Sequence, residues 1–188
     1  GASGLEASAG LAEDSSVPEF SGAGWREHMG FSVLLTDIQV DGYPDCLFGS
    51  RQADNGTISV AGRVRAVRGG PQRHRDVEFM DSEPDLEILG MRPYGQMGIA
   101  MAGADFDQDG ISDLFIAEPY PIVAGDLQPG KVFLFFGREN WDSTLTTGDA
   151  DGVWQGAVRG EASARARIQA RVRPIPELRI ADSRLRAM

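Results

Sequence analysis

GIAMAGADFDQDGISDL, residues 98–114, sets Asp105, Asp107, Asp109 and Asp113 at positions 1, 3, 5 and 9 of one short loop, with Gly110 at position 6. Carboxylates two residues apart converge on one side of a turn, the glycine permits the sharp reversal, and the carbonyl of Ile111 at position 7 can add a backbone oxygen. That is the spacing of a calcium cradle. Four like charges held together are unfavourable unless a hard cation neutralises them. The flanks exclude an EF-hand, because position 12 is Ile116 rather than a bidentate Glu, and GIAMAGA and DLFIAEP are short and strand-like. The expectation is a metal loop between two strands.

The same pattern lies 68 residues upstream. PEFSGAGWREHMGFSVLLTDIQVDGYPDCLFG from Pro18 aligns without gaps on LEILGMRPYGQMGIAMAGADFDQDGISDLFIA from Leu86, pairing Glu19 with Glu87, Gly30 with Gly98, Asp37 with Asp105 and Asp45 with Asp113. Self-similarity at a fixed period marks a repeat architecture. In this copy Asp37, Gln39, Asp41, Tyr43 and Asp45 take positions 1, 3, 5, 7 and 9, and the neutral Gln39 amide predicts the weaker of two calcium sites. Further on, GTISVAGR from Gly56 is matched to GKVFLFFGR from Gly130, which predicts a strand over Thr57–Ala61 and leaves the basic run Arg63–Arg75 as an exposed extension.

A decayed third copy follows, with IQARVRPIPELRIAD from Ile168 opposite ADFDQDGISDLFIAE. Glu177 falls opposite Asp113, while Gln169, Arg171 and Arg173 replace the first three acids. The copy is read as a metal-free blade or an irregular Arg-rich tail. Arg171 and Arg173 are its candidate partner-binding residues, expected to face carboxylates of a neighbouring chain. The domain reading is a flexible segment over 1–16, two repeats over 17–158 (about 17–85 and 86–158), and the degenerate third over 159–188. Strands are predicted at Phe31–Thr36, Asp45–Gly49, Thr57–Ala61, Leu86–Leu89, Ile99–Ala104, Asp113–Ala117, Lys131–Phe136 and Gly152–Gln155, with the phenylalanines at 133, 135 and 136 packing between layers.

A Gly-x-Ser/Ala strand, an Asp-x-Asp/Gln-x-Asp-Gly-x-x-Asp loop, an apolar strand ending near Ala117-Glu118-Pro119, and a Gly-x-Val-x-x-Phe-x-Gly strand together resemble the FG-GAP repeat. That repeat builds the propeller of integrin alpha subunits and the similar propeller of glycosylphosphatidylinositol-specific phospholipase D. The resemblance spans roughly 17–182 and departs at Met29-Gly30, Gln39 and Gly49-Ser50-Arg51. It implies an all-β, partial β-propeller of FG-GAP-type blades with calcium-binding loops. Its work would be protein binding, in adhesion or as a scaffold subunit; the alternative is the accessory propeller segment of a secreted hydrolase. The count of repeats gives about three blades, fewer than the four to eight of closed propellers, so other protein chains are expected to complete or cover the open edges.

Composition agrees. The chain has 188 residues, 24 glycines and 10 prolines, suited to many short strands joined by turns. Its net charge of -10 is divided, since residues 159–188 carry eight arginines against three acids; without interleaved aromatics this basic end gives no nucleic-acid signature. The single cysteine, Cys46, excludes an intrachain disulfide and reads as a small hydrophobe on an apolar strand. Asn55-Gly56-Thr57 is both a hairpin signal and a glycosylation sequon, with Asn55 the candidate acceptor. Two histidines, no Gly-x-Ser-x-Gly elbow, no zinc spacing and no phosphate loop leave acid–base and nucleophilic catalysis without their usual residues, so no enzyme is expected. No transmembrane run is visible, and calcium loops of this kind fill near millimolar calcium, which points to an extracytoplasmic location.

Overall fold

A computed structural model describes residues 20–156 except 23, 25, 72–76, 79–82, 120, 121, 124, 125 and 128. In chain order the strands are β1 (Phe20–Ser21), β2 (Ser32–Thr36), β3 (Asp45–Ser50), β4 (Arg63–Val67), β5 (Val77–Glu78), β6 (Leu86–Leu89), β7 (Met101–Ala104), β8 (Asp113–Glu118), β9 (Ile122–Val123), β10 (Asp126–Leu127), β11 (Lys131–Phe135), β12 (Thr144–Thr146) and β13 (Gly152–Gln155). Among the described residues the only helical element is the 3-10 turn Thr147–Asp149. The protein is all-β.

Two antiparallel meanders dominate. The first runs β2-β3-β4-β6 and carries β12 in parallel on its outer edge; the second runs β7-β8-β11-β13. Each is a four-stranded blade. The borrowed strand repeats too, because β1 pairs with β5 in parallel as β6 pairs with β12, with Phe20 opposite Val77 and Ile88 opposite Leu145. Phe20–Ser21 thus holds the place in the repeat that β6 holds, and is tied to β5 as β6 is tied to β12.

The period of 68 residues holds through the first three strands of each blade: Asp45 matches Asp113 and Arg63 matches Lys131. This corrects the expected third strand of the first repeat. Thr57–Ala61 is not a strand; Asn55 and Ile58 close a tight turn, as the Asn-Gly signal implies, and Val60 takes a left-handed φ of 52°. The strand is Arg63–Val67, inside the run read as an exposed loop, and Arg65 is only 5% exposed. The alternation explains it. Val64 and Ala66 enter the core on one face, and on the other Arg63 and Arg65 are neutralised by Glu27 and Glu87, so the arginine charge hides an ordinary period-2 strand.

The main core lies between the two blades. Leu47, Val64, Leu86 and Ile88 of the first pack with Leu114, Ile116, Phe133 and Phe135 of the second. Phe133 and Phe135 fill this interface as expected, whereas Phe136, half-buried, lies outside this core. Gly98, in the left-handed region at φ 83°, passes so close to Gly49 that a Cβ on Gly49 would sit 2.1 Å from the Gly98 carbonyl oxygen; glycine is required where two backbones meet like this. The segment 159–188, with Arg171, Arg173 and the expected third repeat, lies outside the described residues.

Candidate metal centre

Both acidic loops join the first and second strands of a blade and have one backbone conformation. Position 6 is left-handed in each, Gly42 at φ 86° and Gly110 at φ 90°, and so is position 4, Val40 at 62° and Gln108 at 64°. A β-branched residue resists that region, so Val40 strains the first loop more than Gln108 strains the second.

The ninth-position acids act as clips. Asp113 is fully buried; its Oδ2 accepts from the Phe106 N–H at 2.7 Å and its Oδ1 from Gly137 N–H at 2.9 Å. Asp45 does the same with Ile38 at 3.0 Å and Gly69 at 2.8 Å. Each ties the start of its loop to the residue pair beyond the blade's third strand. Burial, followed by the charges of Asp41 and Asp37, raises the Asp45 carboxyl above its ordinary range, against the two N–H donors that lower it.

The other acids face one another. Asp105, Asp107 and Asp109 each place a carboxylate oxygen within 4.8 Å of the others. Asp105 accepts from the N–H groups of Asp109 and Gly110, and Asp109 Oδ1 accepts from Ile111 N–H at 2.8 Å. Partial burial, then the charges of Asp109 and Asp113, pushes the Asp107 carboxyl up. Three hard oxygen donors converging at mutual repulsion fit a calcium-type cation, and the set has no soft or nitrogen ligand that would favour zinc.

In the first loop Asp37 gathers four N–H donors, from Gln39, Val40, Asp41 and Gly42, and Tyr43 N–H donates to Asp41. Its slight burial would raise the Asp37 carboxyl, but those donors hold it below its usual range. Gln39 takes the place of a carboxylate, and its amide donates to Asp41 Oδ2 at 2.6 Å. A neutral donor thereby partly relieves charge that Asp107 leaves unrelieved in the second loop.

The remaining candidates are also placed. Asn55 Nδ2 donates to the Gly90 carbonyl at 2.9 Å. Cys46 is a free, half-buried thiol packed beside Phe48 and Val67, and burial raises its pKa. His28 sits in the left-handed region at φ 53°, as its repeat mate Gln96 does at 54°. What sequence reasoning missed is a buried charge cluster. Arg65 bonds Glu27 at 3.0 Å and Glu87 at 3.1 Å, and Arg63 joins both acids. Its signal was present in the 68-residue register, which puts Arg63 on a strand.

Comparison with known proteins follows the same architecture. The chain is 32% identical over 144 residues to integrin alpha-5 from Xenopus laevis, covering 74% of this chain and 13% of that protein. It is 31% identical over 134 residues to phosphatidylinositol-glycan-specific phospholipase D from Rattus norvegicus, covering 70% of this chain and 15% of that protein. Integrin alpha-V from Gallus gallus is 27% identical over 149 residues, again 74% of this chain and 13% of the relative. The chain thus spans about a seventh of the length of the curated relatives it matches. No protein-family model matches it. Among the described residues no helix is long and apolar enough to cross a membrane.

Proposed function

Because this chain carries an FG-GAP, integrin-alpha-like propeller region, we propose that it works as a non-catalytic, calcium-stabilised module for binding other proteins, in adhesion or as a scaffold subunit, outside the cytoplasm. The observation that carries the calcium part is the convergence of Asp105, Asp107 and Asp109 within 4.8 Å. Calcium there would supply charge neutralisation and hold the loop between β7 and β8 closed; Asp113 would act through its backbone clips. The first loop, with Asp37, Gln39, Asp41, Tyr43 and Asp45, is the weaker of the two. Calorimetric titration with calcium and with magnesium tests this: a calcium-preferring site lost in Asp109→Ala supports the reading, and indifference to calcium overturns it.

Protein binding rests on the blade faces. Ile38, Leu47 and Val64 are buried under the second blade at 2%, 0% and 1% exposure, whereas their repeat mates Phe106, Phe115 and Val132 lie on its far face, with Phe106 50% and Val132 36% exposed. Phe106, Phe115 and Trp154 form one aromatic cluster there. On the opposite side of the pair Val33 and Leu35 are 57% and 63% exposed. Apolar faces on this scale fit further blades or partner chains. Arg171 and Arg173 would pair with carboxylates of such a neighbour, and charge reversal at either should weaken assembly while leaving calcium binding intact. The relation to the phospholipase supports a second reading, an accessory segment of a secreted hydrolase, distinguished by lipase activity in the longer protein that survives loss of these loops.

A further inference from the structure

Between the two blades, on the side where β8 ends and β11 begins, a cleft of about 530 Å³ is lined by Arg92, Lys131, Phe133, Val153 and Gln155 and by the turn Thr146–Gly148. Behind it lies Glu118, fully buried, with neither carboxylate oxygen hydrogen-bonded among the described residues. Its nearest charges are Arg92 and Lys131, the latter directly opposite it across the β8–β11 ladder. A buried carboxyl without partners and two cations turned to an open cleft form an unfinished polar cluster, and such clusters are costly unless something completes them.

The first blade shows the finished version. There Arg63 and Arg65 stand where the second blade has Lys131 and Phe133, and Glu87, opposite Arg65 across its ladder, stands where the second has Val153, opposite Phe133. The loop N–H of Glu27 bonds the Gly24 carbonyl as that of Gly95 bonds Arg92, so Glu27 and Gly95 are equivalent. A Cβ on Gly95 would lie 2.5 Å from Glu118 Oε1. Glu118 therefore occupies the space of the Glu27 side chain and reproduces its carboxylate from another strand. One cation is thus retained as Lys131, a second, Arg92, comes from the loop, and one of two carboxylates is reproduced, while the place of the other, Glu87, is taken by Val153 at the wall of the cleft.

We propose that this cleft binds a carboxylate ligand, which takes the place of the Glu87 carboxylate and is held by Lys131 and Arg92, with the Thr146–Gly148 turn as its polar wall. The volume suits a small organic acid or one acidic side chain with its neighbours, within the usual range of ligand sites. Carboxylate is favoured over a cation because both charges lining the cleft are positive, and over a purely apolar guest because an apolar guest would leave Glu118, Arg92 and Lys131 unbalanced. The site is independent of the acidic loops.

The test is an NMR titration of the labelled chain in calcium-containing buffer, with succinate and, separately, with the blocked peptide acetyl-Ala-Glu-Ala-amide as probes. Saturable shifts at Arg92, Lys131 and Thr147 are expected from one or both. Succinate alone identifies a free organic acid as the source; the peptide alone identifies an acidic side chain. Lys131→Met should weaken binding at least tenfold. Gln155→Glu, an exposed change that sets a built-in carboxylate opposite Lys131 across the β11–β13 ladder, should also weaken it about tenfold without unfolding the chain. No saturable shift with either probe, binding unchanged in both variants, or tighter binding of inorganic phosphate than of either carboxylate would overturn the proposal.

Discussion

The first blade balances its buried charge inside itself, Arg63 and Arg65 against Glu27 and Glu87, while the second sets Arg92 and Lys131 against Glu118 alone and keeps a cleft. At the opposite end the asymmetry reverses. The second blade concentrates carboxylate in its loop, and the first dilutes it with Gln39. One repeated backbone thus carries two divisions of labour: the first blade is closed by its own side chains, and the second keeps an acidic loop at one end and a cationic cleft at the other. Repeats allow this because each blade's fold depends on shared backbone bonds and core positions, which leaves its charged positions free to diverge.

The largest expected effect breaks the closed cluster. Arg65→Met removes the most buried cation and strands Glu27 and Glu87 beside Arg63, so unfolding free energy should fall by about 3 kcal/mol. Phe133→Met at the matching place in the second blade leaves no charge unpaired and should cost less, about 1.5 kcal/mol, for the volume and ring contacts it removes. Denaturant unfolding of both variants measures the contrast; equal losses would mean that the two clusters are not different in kind.

Next comes Glu118. Burial pushes its carboxyl up to about 7 from an ordinary value of 4.5, against the pull of Arg92 and Lys131. The folded chain then holds this proton more tightly than the unfolded one, so the Glu118 contribution to stability should be fullest below about pH 4.5 and be lost as pH rises through about 7. The loss is at most about 3 kcal/mol. Glu118→Gln should flatten that decline and be more stable than the parent at pH 8, as thermal melts across pH would show. An unchanged pH profile would mean that Glu118 is balanced by charge after all.

How much of this the sequence disclosed depends on the strength of each local signal. The acidic loops and seven of the eight expected strands were legible because Asp-x-Asp-x-Asp-Gly and apolar alternation are local patterns. Arg63–Val67 was not, since a Gly-x-x-x-Val-x-Gly motif beside it mimicked the later Gly-x-Val strand, and because an Arg-x-Arg pair reads as solvated until its partners, at positions 27 and 87, are brought beside it. Glu118 reads in sequence as the end of an apolar strand; only the missing side chain at Gly95, distant in sequence, reveals why it is buried. Strands as short as Thr144–Thr146 borrow their stability from the neighbouring blade and carry little signal of their own.

Calcium should separate the two loops. At 100 times the dissociation constant it should add about 2.7 kcal/mol to stability, reversed by a chelator. Asp109→Ala should abolish most of that gain and Asp41→Ala little of it, because the second loop brings three carboxylates together and the first only two with an amide. Melting temperatures with and without calcium report this directly. If Asp41→Ala costs as much as Asp109→Ala, the loops are equivalent and Gln39 is no handicap.

The smallest effect sharpens the same difference by removing it. Gln39→Asp gives the first loop the acids of the second at positions 1, 3, 5 and 9. Without calcium the change should destabilise the chain slightly, because the amide bond from Gln39 to Asp41 is exchanged for like-charge repulsion between neighbours already exposed to water. With calcium the added carboxylate should tighten the first site roughly tenfold, about 1.4 kcal/mol. The two effects have opposite signs, so the variant should cross the parent in stability as calcium is raised, and a loop that is merely a turn cannot produce that crossing. Val40 limits the gain, because its left-handed backbone strains this loop while Gln108 adopts the same conformation more readily. Introducing Val40→Asn into both the parent and Gln39→Asp should raise stability at every calcium concentration without moving the point at which that pair cross, which separates backbone strain from ligand charge as the reason the first loop is weaker.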